Sequence, residues 1–307
     1  MLDRSPGDPG LTLRARSRPK ERAIRIVLAA CGLLSVATTA GIIGTLGAET
    51  LDFFRDVSPV EFFTGTEWSA LIRPHTYGIW PLVSGTLVIA GISALVGVPL
   101  GVGTAVYLSE YATPKTRRRL KPALEILAGL PTVVLGYFAL TFVTKTILQR
   151  IVSDVAFYNV LSGGIVVGVM IVPIIASLSE DAMGAVPRSL REGAYGLGAS
   201  KMAVATRVVA PAALSGIMAA IILGVSRAVG ETMIVAIATG SNPKMCADLT
   251  DGCQPLTSFI AQAAFGDIGR GGTLFKSIFA VGMVLFVMTL VLNIVSLRLV
   301  RRFRQAY

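Results

Sequence analysis

Six stretches of this sequence are long and apolar enough to require hydrocarbon around them. They run from Ile24 to about Gly47, Pro81 to about Leu108, about Ala123 to Ile147, Leu161 to Leu178, near Val208 to near Thr239, and about Leu274 to Leu297. An α-helix rises ~1.5 Å per residue, so about 20 residues cross a ~30 Å bilayer core. Within lipid each backbone polar group must bond inside the chain, which a helix achieves along its own length. The expected fold is therefore all-α, a polytopic membrane protein with six transmembrane helices. Only 15% of residues are charged, against ~25% in a soluble domain. The first run is too long, and its basic lead too extended, for a cleaved signal peptide.

The net charge of +10 invites a nucleic-acid reading, but the cations sit in short clusters beside the apolar runs. That pattern orients membrane proteins, with Lys and Arg retained on the cytosolic side. With the N-terminus inside, segments 1–25, 109–122, 180–207 and 298–307 hold 20 of the 28 Lys and Arg. The outer segments hold seven, and Arg227 lies within a run. Both termini are thus expected in the cytosol. The chain divides into a basic, disordered cytosolic tail (1–25), a first transmembrane helix (26–48), an extracytoplasmic loop (49–80), a five-helix core (81–300) and a cytosolic tail (301–307). The outer loop carries Phe53, Phe54, Phe62, Phe63 and Trp68 and is expected to hold a short interfacial helix. His75 reads as a loop residue.

Three cysteines are too few for a disulfide scaffold. Cys31 falls in an apolar run; Cys246 and Cys253 share a polar loop expected outside. A disulfide and two unpaired thiols both fit that spacing, which matches no common zinc pattern. No metal site and no catalytic residues are expected. Spans two to five are rich in glycine and proline, including Gly97, Pro99, Gly101, Pro131, Gly164, Gly168 and Pro173. Small residues let membrane helices approach closely.

The cytosolic loop 180–207 offers a handle. Gly193 to Lys201 only loosely resembles a phosphate-binding loop, because Ala199 and Ser200 separate the last glycine from the lysine. Pro187 is placed to start one helical piece, which Glu192, Ala194 and Leu197 continue and Gly198 breaks. Ser200 is placed to cap a second piece, from Lys201 through Met202 to Pro211. An apolar side on such a surface helix suits docking. In the fifth run, Arg227 and Glu231 stand four residues apart, which in a continuous helix puts them on one face. Charges buried in a span are costly and mark pathways or partners. Pairing with each other and contact with an anion are both open. Glu125 is expected to pair with Lys121 at i,i+4.

Glu192-Gly193-Ala194, three residues, Gly198, nine residues, then Val208-x-Ala210-Pro211 closely resembles the EAA loop of ABC importer permeases, E-A-A, G and I-x-L-P at the same spacing. Gly193, Val208 and Ala210 depart from that pattern. The stretches YGIWPLVSGTL (77–87), AVYLSEYA (105–112), RRRLKPALEILAGLPTVVLGYFAL (117–140) and SRAVGETMIVAIATG (226–240) look like permeases of the high-affinity phosphate (Pst) importer. GETMIVA and SIFAVGMVLF (277–286) are more like the PstC type than the PstA type.

The resemblance implies the MetI-like permease fold, with Glu192, Ala194, Gly198, Ser200, Lys201 and Pro211 in ATPase coupling and Arg227 and Glu231 on the substrate path. It implies no cofactor in this chain, ATP and Mg being held by two partner ATPase subunits. The further partners implied are a second, PstA-like permease, an extracytoplasmic phosphate-binding protein and the bacterial plasma membrane. A permease for sulfate or molybdate, an ATP-independent channel or carrier, and a cargo-free membrane scaffold are the competing readings.

Overall fold

The computed structural model describes residues 19–152, 154–266, 269 and 271–303. Most of the tail 1–25, and 304–307 of the tail 301–307, lie outside them. The chain separates into two compact units, divided between Gly47 and Ala48. The first is the apolar start of helix α1 (Pro19–Asp56). That helix continues to Asp56, beyond the expected end of the first span near 48, because Glu49 to Asp56 holds no Gly or Pro to stop it.

The second unit begins with the last turns of α1 and the short α2 (Pro59–Thr64), which falls where a short helix was expected. Next comes α3 (Trp80–Val106), which runs into a π-helical turn, Tyr107–Tyr111. Helix α4 (Pro114–Ala128) follows, and then the span formed by α5 (Thr132–Phe138), a π-helical stretch Ala139–Leu148 and α6 (Gln149–Ile151). Helix α7 (Val160–Gly184) is the most buried span. The stretch read as a handle holds α8 (Arg188–Gly196) and α9 (Lys201–Val204), which continues through a π-helical turn, Ala205–Val209, into α10 (Ala210–Ala212). Helices α11 (Leu214–Val229), α12 (Met233–Ala238), α13 (Leu256–Phe265) and α14 (Thr273–Phe303) complete it. Among the described residues there is one isolated antiparallel bridge, Trp68 to Tyr77. Five helices among the described residues are long and apolar enough to cross a membrane, and six if the bent fifth run counts as one.

Two expected spans are corrected. The third does not start at Ala123. Pro131 disfavours helical backbone at Leu130, so the chain breaks after Gly129 and the span begins at Thr132. The fifth is not one helix. Its two long parts, Lys201–Ala212 and Leu214–Val229, meet at 75° just after Pro211, whose ring and missing N–H disrupt the helix around it. It breaks again at Gly230.

Helices α3 and α7 form the core of the bundle because small residues bring their backbones together. A Cβ on Gly97 would fall 2.6 Å from the carbonyl oxygen of Gly168, and one on Gly168 would fall 2.8 Å from Cβ of Val96. The Ser93 hydroxyl crosses the seam to the Gly164 carbonyl at 3.1 Å. Around it pack Ile89, Val167, Ile171, Ile175, Ile234 and Val235. In a second cluster Phe53, Phe62, Trp68, Tyr77 and Phe259 meet edge to face.

Candidate functional site

The handle is built as its residues dictate. Pro187 precedes α8, and the Ser200 side chain accepts from Ala203 N–H at 3.3 Å to start α9. Gly198 has φ +78°, the left-handed conformation that closes α8 and costs any other residue strain. A Cβ there would touch nothing, so the backbone alone requires glycine. Ala194 and Ala199 turn inward onto a cluster of Ala105, Met183, Val204, Val209 and Ile217. Glu192, Ser200, Lys201, Met202 and Pro211 are exposed, and Leu197 is 91% exposed. Residues 193–201 form a helix end and turn; Lys201 stacks its ammonium 5.1 Å over the Tyr111 ring. The expected loop 180–207 is shorter than read, since α7 continues to Gly184.

That extension places Glu180 inside a helix, 1% exposed. Arg117 pairs with it, and Lys121 lies 3.4 Å from both its carboxylate and that of Asp181. The expected pair of Lys121 with Glu125 does not form. A buried carboxylate needs a cation more than an exposed one does, and Glu125 is exposed on the wall of two cavities, ≈ 200 and ≈ 450 Å³, beside α4.

The second site is the break at Gly230. Helix α11 ends at Val229, so Arg227 and Glu231 do not share a helix face, and among the described residues they form no ion pair with each other. Glu231 is 7% exposed, and its Oε1 accepts from Met233 and Ile234 N–H at 3.2 and 3.3 Å. Its carbonyl accepts from the Thr257 hydroxyl at 2.7 Å. Glu231 therefore holds the break together. Arg227 is exposed in the last turn of α11, and among the described residues its guanidinium has no ion-pair partner. Spacing alone suggested a pair; Gly230 is the signal that separates them.

Cys246 and Cys253 are joined in a disulfide. The loop they close is pinned to α3, with Cys246 N–H donating to the Ser84 hydroxyl at 3.1 Å and Leu256 N–H to the Thr86 hydroxyl at 3.0 Å. A Cβ on Gly85 would meet Cys253 Sγ at 3.2 Å, so glycine admits the disulfide. Lys244 donates to Asp251 and holds that carboxyl below its ordinary 3.8. Sequence reasoning did not anticipate α13 or this anchorage.

A bundle of long apolar helices, one of them bent, with a charged break after α11, defines a multi-pass membrane protein. The sequence matches, over residues 97–306, the family of binding-protein-dependent transport system inner membrane components. The chain belongs to that family, as a multi-pass inner-membrane permease subunit of an ABC importer. It is 35% identical to "Probable ABC transporter permease protein YqgH" of Bacillus subtilis, over 86% of each chain. It is 31% identical to "Phosphate transport system permease protein PstC" of Haemophilus influenzae, over 80% of this chain and 82% of that one. A permease of a bacterial alginate ABC transporter shares its fold at TM-score 0.65 and 16% identity, over 92% of this chain and 96% of the other.

Proposed function

We propose that this chain is one permease subunit of an ATP-driven importer of inorganic phosphate, of the PstC type. It forms half of the translocation path, with a PstA-like permease as the other half. Two PstB-like ATPase subunits bind the handle, and a PstS-like phosphate-binding protein delivers cargo from outside. Both termini lie in the cytosol. The relatives named as phosphate permeases support the cargo, and the unneutralised Arg227 carries the reading. A guanidinium in a span is costly without a partner, and its planar donors match the oxygens of phosphate. Glu231 anchors the break from which Arg227 projects. Glu192, Ala194, Gly198, Ser200, Lys201 and Pro211 shape the surface that receives the ATPase.

The test is uptake by the complete complex in vesicles supplied with ATP and the binding protein. Arg227→Ala should assemble normally and lose about tenfold to a hundredfold in phosphate uptake, the worth of one charge-assisted contact. Wild-type uptake by this variant rejects the role. Sulfate or molybdate competing equally with phosphate moves the assignment to another oxyanion, and uptake without the ATPase moves it to a channel or carrier.

A further inference from the structure

One guanidinium of the handle bridges two elements of the bundle. Arg191, in α8, is 18% exposed on its side chain, and its guanidinium makes three contacts. Nη1 donates to the Val186 carbonyl at 2.7 Å, and Nη2 donates to the Met183 carbonyl at 2.8 Å and to Glu110 Oε1 at 3.0 Å. Met183 lies in the last turn of α7 and Val186 two residues beyond it, and the C-terminal end of a helix favours positive charge. Glu110 belongs to the π-helical turn that ends α3; its side chain is 5% exposed and takes a second hydrogen bond from the Ser109 hydroxyl at 2.9 Å. The next residue, Tyr111, meets the other half of the handle through Met202 Sδ at 3.6 Å and the ammonium of Lys201.

We infer that Arg191 is a positioning residue for transport, a strut that passes displacement of α8 to α3 and α7 together through Glu110. This rests on the reading of the handle as the ATPase-docking element. The bundle's tightest seam joins those two helices, so a push on their shared inner end moves them as one body. A hydrophobic contact alone would let α8 slide. A planar fork bound to two elements fixes its angle as well as its distance. Glu110 is buried under the handle and cannot touch an ATPase, so its loss isolates the strut from docking.

The experiment uses the whole complex in vesicles, with inorganic phosphate and its binding protein outside and ATP inside. Phosphate taken up per ATP hydrolysed is measured for wild type, Arg191→Gln, Arg191→Lys and Glu110→Gln. Complex yield and thermal stability are measured beside it. The ratio should fall about tenfold in Arg191→Gln and Glu110→Gln, the scale of one buried charged contact, with ATPase subunits still co-purifying. Arg191→Lys should fall between, since an ammonium cannot fork. A wild-type ratio in either Arg191→Gln or Glu110→Gln overturns the strut, and so does loss of the ATPase subunits from Glu110→Gln. Should Arg191→Gln fail to fold, Glu110→Gln decides alone. A cysteine in place of Leu197 tests the underlying reading separately. If it fails to cross-link to the ATPase, the docking assignment falls whatever the ratio.

Discussion

Gly198 and Glu231 show how single residues set the two sites. Gly198 sits at positive φ with open space around it, so Gly198→Ala adds no clash and costs about 1–2 kcal/mol of backbone strain. The expected result is faster amide exchange in the last turn of α8 and in α9, with the bundle unchanged; unaltered exchange contradicts it. This residue was legible because a lone glycine between two helical pieces, followed by a capping serine, has one structural use. The placement of Arg227 and Glu231 was half legible. Two charges within an apolar run mark a special place, but their spacing implies a pair only if the helix is unbroken. Gly230 ends α11, and the two residues take separate tasks.

At the scale of elements, prolines and glycines decide where apolar runs become helices. Pro131 and Pro211 were visible in the sequence, yet hydropathy reads straight across them and overstated two spans. Pro99 and Pro173 stay inside α3 and α7, so proline alone does not say which run will break. The seam between those helices depends on contact distances that no one-dimensional pattern gives. Replacing Gly168 by leucine drives a side chain toward Val96 and the Ser93 carbonyl. It should cost about 1–3 kcal/mol or more, as overpacking does. The purified complex should then melt at lower temperature, whereas Gly91→Leu, where nothing lies within 4 Å, should leave the melting point in place.

For the whole molecule, the count of Lys and Arg predicts sidedness and can be checked directly. Leu197→Cys, on the handle, should react with a membrane-impermeant maleimide in inside-out vesicles and stay unlabelled in intact cells. Labelling from outside would invert the topology. The apolar runs that become helices were readable because length and hydropathy are properties of the chain itself. The aromatic cluster was not. It is assembled from Phe53, Phe62, Trp68 and Phe259, which come from distant segments and share no local period.

The ring tied by Cys246 and Cys253 has one more consequence. Thiols are oxidised on the far side of a bacterial plasma membrane and kept reduced within. Each molecule threaded in the proposed direction should therefore acquire a covalent stamp of its passage, and each molecule threaded backwards should lack it. Cys31 should titrate as one free sulfhydryl in a correctly made batch, and three should appear only after a reductant is added. That chemical tally would grade a preparation before any activity is measured.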